Sequence, residues 1–398
     1  MSQESLEEHR VGLIQYFFYA VLAIAVIRLF TWLFLSLNYT RRRRAEASSY
    51  FPKISVVVPA YNEEITIKSC IKSLQDLDYP DYEIILVDDG STDKTLEEAK
   101  KFEVSGARVI HQENQGKANA LNNGILSSKG EIIVTVDADT KLHRDSLKKI
   151  ANRFATNHHL GAVAGNVKVS PAPGLLNRLQ ATEYTTGINL IRKAQSTLGC
   201  VLVVPGPIAA LKKEAVERAG LFLEDTFAED FDMTMRILKK GYQVEYEDGA
   251  IAYTDAPKNL EDLIKQRRRW YRGMIQVLDK HRDMYLRRKY GVLGVFGIPN
   301  LWFDITSPIL NTALILLALL AGFLVGESFI SLIGLVAYFI AETVVGIYAI
   351  SLDPIPKMRE FAAIPILLFY NVFIDGVRMM AFAEEMVSIV MKWEKPRR

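Results

Sequence analysis

Hydrophobicity in this chain is segregated into blocks, and that most constrains what it can become. From Val11 to Leu37 the sequence is almost wholly apolar, with Arg28 its only charge, and apolar segments return beyond Tyr290. A helix of the first block's length crosses roughly 30 Å of hydrocarbon. Between the blocks, about Ser49 to Tyr290 has the mixed character of a soluble domain. Mean hydropathy is +0.09 although 24% of residues are charged, as expected of membrane helices joined to a large soluble part. The net charge of +2 argues against a nucleic-acid binder, and Cys70 and Cys200 are too few for a disulfide framework or a zinc site.

The leader before the first block carries Glu4, Glu7 and Glu8 rather than a basic region, so the block reads as a retained helix and not a cleavable signal. Arg41–Arg44 follow it and place that end in the cytosol. Past Tyr290, Gly291–Pro299 is short enough to lie in the interface. Leu301–Val325, Ser328–Ile350 and Phe361–Ala383 are each long enough to cross. Three late spans would leave the C-terminus outside, against the basic residues of Met391–Arg398. Phe361–Ala383, interrupted by Asn371, Asp375 and Arg378, is the segment in doubt.

In the soluble part, strand-like runs at Ile54–Pro59, Glu83–Val87, Ala107–Ile110 and Glu131–Asp137 alternate with helix-like Thr66–Leu77, Lys94–Phe102 and Lys117–Ser127. Such alternation predicts a parallel sheet covered by helices, with ligands at the carboxyl ends of its strands. The motifs lie there. Pro59-Ala60-Tyr61-Asn62-Glu63-Glu64 ends the first run, and Asp88-Asp89-Gly90 ends the second. An acidic pair before glycine suits either hydrogen bonds from a base or ribose, or an ordinary Asp-Gly turn. Asp137-Ala138-Asp139 ends the fourth run, where two carboxylates can share Mg²⁺ or Mn²⁺ with substrate phosphates. Further on, Asp230 of Glu229-Asp230 is a candidate general base. In Gln266-Arg267-Arg268-Arg269-Trp270, arginine suits phosphate and tryptophan suits a sugar face. Both also suit the flank of a membrane helix.

Taken as a series, Tyr61/Asn62, Asp88-Asp89-Gly90, Asp137-Ala138-Asp139, Glu229-Asp230 and Gln266-x-x-Arg269-Trp270 resemble the inverting family 2 glycosyltransferases of GT-A type. The closest likeness is to the processive membrane synthases of chitin, hyaluronan, cellulose and poly-N-acetylglucosamine. The resemblance runs from about Phe51 to Tyr290. It implies an α/β fold, a GT-A (Rossmann-like, mostly parallel sheet) cytosolic domain plus an α-helical transmembrane region, in the plasma membrane. It also implies that Tyr61, with Glu63 in the same turn, and Asp89 or Asp88 hold the uracil of a UDP-sugar, and that Asp137 contacts the nucleotide. Asp139 becomes the ligand of Mg²⁺ or Mn²⁺, Lys117 a diphosphate contact and Asp230 the base. Gln266 and Arg269 bind diphosphate, while Trp270 and Glu229 meet the acceptor. Pro205-Gly206-Pro207 lies where such synthases position the acceptor end.

The expected reaction adds a sugar, N-acetylglucosamine by similarity, to a growing β-linked polysaccharide that is exported. Alternatives are a single transfer to a membrane lipid and a subunit that only binds polymer or nucleotide. The expected organisation is 1–48 (first helix and basic flank), 49–264 (glycosyltransferase domain), 265–300 (interface helices) and 301–398 (about three membrane helices). The basic stretch Lys265–Lys289 should lie against anionic lipid headgroups. Asn300, Asp304, Ser307 and Asn311 share one helical face, as do Asn371, Asp375 and Arg378. These stripes line a polymer path or bond neighbouring helices. Arg28 and Glu342 are candidates for an ion pair. Oligomeric state is open.

Overall fold

The computed structural model describes residues 3–42, 51–325 and 328–389. Arg43, Arg44 and the basic tail Met391–Arg398 lie outside the described residues, as does the side chain of Asn311. In chain order the elements are α1 (Gln3–Arg42), β1 (Ile54–Ala60), α2 (Ile67–Gln75), β2 (Tyr82–Asp89), α3 (Thr95–Lys100), β3 (Ala107–Gln112), α4 (Lys117–Leu126), β4 (Ile132–Thr135), β5 (Lys141–Leu142), α5 (Ser146–Thr156), β6 (Leu160–Val169), α6 (Leu175–Glu183), α7 (Leu190–Thr197), β7 (Ala209–Lys212), α8 (Lys213–Ala219), α9 (Glu229–Lys239), β8 (Gln243–Thr254), α10 (Leu260–Lys280), α11 (Ile298–Val325), α12 (Ser328–Ser351), α13 (Met358–Phe361) and α14 (Ile364–Met386). A π-helical turn, Tyr184–Asn189, joins α6 to α7.

The strands form one sheet in the order β3-β2-β1-β4-β7-β6-β8-β5. β1 pairs in parallel with both β2 and β4, so the chain leaves β1 to one side and returns on the other. That reversal opens a crevice at the carboxyl ends of β1 and β4, the usual ligand position in such sheets. Every residue of β1 and of β6 is buried, because helices cover both faces and leave no solvent side for polar alternation. The parallel expectation holds from β3 to β4. Beyond it the sheet is mixed, with β7 antiparallel to β4 and β6, and β5 antiparallel to β8.

The first helix is not a detachable anchor. Its last turns enter the core of the sheet domain: Tyr39 is buried, donates to the Tyr246 carbonyl at 3.1 Å and accepts from Arg153 Nη2 at 3.0 Å. α1 and Ile364–Met386 contain the two stretches long and apolar enough, by length and composition, to cross a membrane among the described residues. Gly291–Pro299 is continuous with the helix that follows it. Leu293–Gly297 winds as a π-turn that runs directly into α11, with Leu293, Gly294 and Gly297 buried. Arg28, expected to pair with Glu342, ion-pairs with Asp304 of α11 and donates to Asn300 at 3.2 Å. Arg378 of α14 donates to the Asp304 carbonyl at 2.8 Å. The polar stripe on α11 thus bonds its neighbours α1 and α14.

Candidate active site

The loop after β1 and the loop after β2 lock onto each other. Asn62 takes a left-handed conformation (φ +55°), which asparagine tolerates because its short polar side chain bonds locally. Its Oδ1 accepts from Thr92 N at 2.8 Å, and its own N–H donates to Ser91 Oγ at 3.0 Å. Glu63 turns its carboxylate onto the Thr66 hydroxyl at 2.6 Å, at the entry to α2, a position that builds the loop. Tyr61 stands half-buried at the strand end.

Asp88 and Asp89 differ in what they hold. Asp88 is fully buried, with Oδ2 2.8 Å from His111 Nδ1, while its Oδ1 has no hydrogen-bond partner among the described residues. Asp89 uses both oxygens on the next loop: Oδ1 accepts from Gln112 Nε2 at 2.8 Å and Gln115 N at 2.9 Å, and Oδ2 from Gly116 N at 2.9 Å. Asp89 therefore shapes the approach to α4. Glycine is favoured at 116 because its φ of +88° is a conformation that residues with a Cβ rarely adopt.

α4 begins at Lys117, whose Nζ reaches Asp137 Oδ1 at 2.8 Å and Glu229 Oε1 at 3.2 Å. This one ammonium joins the donor-side loop of β4 to the start of α9. Burial disfavours its charged form, but Asp137, Glu229 and Asp230 outweigh that, and the Lys117 pKa is raised. Asp230 sits in the first turn of α9, held by Gly206 N–H to Oδ2 at 3.1 Å and Phe231 N–H to Oδ1 at 2.8 Å. Burial, and then the adjacent Glu229 carboxylate, push Asp230 up to about 6 against the pull of Lys117 and the two N–H groups. Glu229 goes the other way: burial opposes ionisation, but Lys117 and Arg269 hold its pKa low. Two neighbouring carboxylates are thus pushed apart in basicity, an arrangement that marks acid–base sites.

Gly206 of Pro205-Gly206-Pro207 lies directly over this cluster. A Cβ there would sit 3.0 Å from Lys117 Nζ and 3.3 Å from Asp137 Oδ2, so any larger residue would press on this pair. Asp139 accepts from Thr140 at 3.1 Å and Thr254 at 3.3 Å, both neutral hydroxyls. Among the described residues no group of three or more His, Cys, Asp and Glu side chains could hold a metal by itself. A site of one or two carboxylates completed by substrate phosphates fits Mg²⁺ or Mn²⁺. Cys70 and Cys200 are buried and unlinked.

The arginine run resolves by helical face. Arg268 pairs with Glu384 of α14 through Nε at 3.1 Å, and Arg272, one turn on, pairs with Glu385 at 2.7 Å. Arg267 is buried against Glu183 at 2.6 Å and lies 4.3 Å over the Trp270 ring. Lys280 pairs with Asp225 and Asp232. Carboxylates of the protein thus pair with much of the basic stretch Lys265–Lys289 expected to lie against lipid headgroups. Arg287, Arg288 and Lys289 alone form a consecutive exposed basic run there. Gln266, Arg269 and Trp270 occupy another face. The Gln266 Oε1 is buried without a partner among the described residues, Arg269 acts on Glu229, and Trp270 packs 6.4 Å from the Tyr184 ring.

The structure therefore brings Lys117, Asp137, Glu229, Asp230 and Arg269 into one cluster, with Trp270 on the same helix face as Arg269. Tyr61, Asp88 and Asp89 lie along the neighbouring strand ends. Sequence reasoning missed His111 and Thr254. His111 meets Asp88 through the β2–β3 register, which no local pattern reveals.

Residues 55–220 match the model of Glycosyl transferase family 2. The poly-beta-1,6-N-acetyl-D-glucosamine synthases of Staphylococcus epidermidis and of Staphylococcus aureus (strain COL) are each 34% identical to this chain over 227 residues, 56% of this chain and 55% of theirs. The chain thus matches about half the length of these curated relatives. Among solved structures, the mannosyltransferase PcManGT of Pyrobaculum calidifontis, in complex with GDP-Man and Mn²⁺, superimposes with a TM-score of 0.60 at 21% identity. The likeness covers 93% of this chain and all of that one, and it shows the fold, which is GT-A.

Proposed function

We propose that this chain, whose residues 55–220 match the Glycosyl transferase family 2 model, transfers a sugar from a UDP-sugar to a growing β-linked polysaccharide at a membrane. The observation that carries the reading is the buried Asp230 carboxylate, raised toward neutral pH and fixed by two backbone N–H groups beside the Lys117–Asp137 pair. A base poised near the working pH removes a proton from an acceptor hydroxyl most effectively. The acceptor oxygen then bonds to the anomeric carbon as the bond to the diphosphate oxygen breaks. Attack from the face opposite UDP inverts the α-linked donor to a β-linkage. Lys117 and Arg269 meet the charge that appears on the departing UDP. Asp139, with Asp137 beside it, would hold Mg²⁺ or Mn²⁺, which supplies further neutralisation of the diphosphate.

Tyr61 and Asp88 are assigned to the uracil, Asp88 through its unpartnered Oδ1. Asp89 and Glu63 shape the donor loops. Gln266 joins Arg269 at the diphosphate, while Trp270 and Glu229 face the acceptor sugar. The relatives' identity supports N-acetylglucosamine as the sugar. The two apolar helices support a membrane position, and the Arg41–Arg44 run after the first supports a cytosolic catalytic domain. The test is UDP release by purified protein in lipid nanodiscs, over a panel of UDP-sugars with Mg²⁺ or Mn²⁺, with the product sized. A long product made from UDP-N-acetylglucosamine is the expected result. A lipid carrying one sugar would replace polymer synthesis with single transfer, and no release from any donor would overturn the reading.

A further inference from the structure

Lys168, Lys193, Arg267 and Arg272 are all buried cations, and each has a carboxylate within its reach: Asp353, Asp248, Glu183 and Glu385. Arg192, on α7 next to Lys193, is the exception among the described residues. It is 8% exposed, its Nη1 is buried with no hydrogen-bond partner, and no carboxylate of the described residues lies within ion-pair distance. A buried guanidinium without a counter-charge is destabilising, so stability alone does not explain it.

Its surroundings indicate what it serves. The groups acting on it electrostatically are Tyr246, Tyr184 and Asp230. Tyr246 is fully buried and its hydroxyl also has no partner among the described residues. Tyr184 packs against Trp270, and Asp230 is the base assigned to the acceptor hydroxyl. Burial lowers the Arg192 pKa, yet guanidinium remains charged at any working pH. A ligand oxygen arriving between Trp270 and Asp230 would find a donor without a partner.

We propose that Arg192 is an acceptor-binding residue whose guanidinium donates to an uncharged oxygen, a hydroxyl or amide carbonyl, of the acceptor's terminal sugar. The carboxylate of Asp230 nearby disfavours an anionic group in that place. This assignment rests on the transferase reading above. It adds a recognition element on α7 that the motif series does not contain.

The test compares wild type, Arg192→Met and Arg192→Lys in nanodiscs. The readouts are UDP affinity, UDP release to water, transfer to an added β-linked N-acetylglucosamine oligomer, and Tm. For Arg192→Met the KM for the oligomer should rise about tenfold or more, the loss expected for a charge-assisted hydrogen bond. UDP affinity should be unchanged, and Tm unchanged or higher because an unpaired buried charge has gone. Arg192→Lys should fall between the two. A lower Tm with UDP affinity and transfer lost together would make Arg192 structural. An unchanged oligomer KM in folded Arg192→Met would assign the guanidinium to a buried water. Absence of UDP release by wild type would overturn the transferase reading instead, and so be told apart from either.

Discussion

The donor side and the acceptor side of the site are held in different ways. On the donor side, short loops after β1 and β2 bond one another, Asn62 with Ser91 and Thr92 and Asp89 with Gln112, Gln115 and Gly116, and leave Asp88 Oδ1 as the open acceptor. On the acceptor side, α7 brings a buried polar atom without a partner, Arg192 Nη1, to a cluster whose order depends on distant helices. The difference separates two kinds of preorganisation. A donor common to every cycle meets a site built from local hydrogen bonds. In the proposed polymer synthesis, an acceptor that moves after each addition would meet groups left unsatisfied until it binds.

The comparison breaks most directly at Asp230. Asp230→Asn keeps the shape and can keep one of the two N–H contacts but removes the base, so transfer should fall about 10²–10⁴-fold. UDP affinity, a donor-side property, should hold, as measured by calorimetry with UDP. An equal loss of both would mean that the two sides are not separable.

Lys117 bridges the sides, and Lys117→Met should cost transfer about 10²-fold by leaving Asp137, Glu229 and Asp230 facing one another. It should also move the pH profile. With Asp230 as the proposed base, the active form is its carboxylate, so activity should be present above about 6 and decline as pH falls through that value. Without the ammonium the carboxylate is harder to form, and the acid limb should shift to higher pH. A limb that stays in place would assign the wild-type pH dependence to another group.

How much of this was legible in the sequence follows the same division. β1 to β4 and the motifs after them were readable because each is a run of adjacent residues: apolar Ile54–Val58 ending in Tyr61-Asn62, apolar Ile132–Val136 ending in Asp137-Ala138-Asp139. β6 and β8 were not singled out. β6 is interrupted by Gly161, Gly165 and Asn166, and β8 mixes acidic residues into its run. The direction of Arg267, Arg268 and Arg272 was open because their partners, Glu183, Glu384 and Glu385, lie far along the chain. A basic run before an apolar helix reads as a membrane flank until α14 is placed against α10. Arg28 with Asp304 is the same case.

That docking of α14 on α10 supplies the next test. Arg272 is buried, and Glu385→Ala takes away its nearest carboxylate along with the 3.1 Å acceptor of Gln276. Breaking a buried pair costs about 3–5 kcal/mol, and the lower end applies because Glu384 remains 3.8 Å from Arg272. Thermal unfolding in nanodiscs should register the loss, and oligomer KM should rise through Arg269 and Trp270 on the same helix. A normal Tm would mean that the membrane helices and α10 are positioned independently.

The smallest effect belongs to His111, and it probes the donor side alone. Its Nδ1 lies 2.8 Å from Asp88 Oδ2, and its side chain is 52% exposed while that of Asp88 is fully buried. His111→Phe removes this contact without touching the Asp230 cluster. One hydrogen bond of this kind is worth about 0.5–1.5 kcal/mol, or roughly a 2–12-fold rise in KM for the UDP-sugar with kcat unchanged. Inhibition by UDP should weaken by the same factor while inhibition by a sugar without a nucleotide stays unchanged, since Asp88 is assigned to the base. If kcat falls and KM does not, Asp88 acts on the chemistry, and the mutually bonded donor loops and the unsatisfied acceptor helix would no longer mark separate tasks.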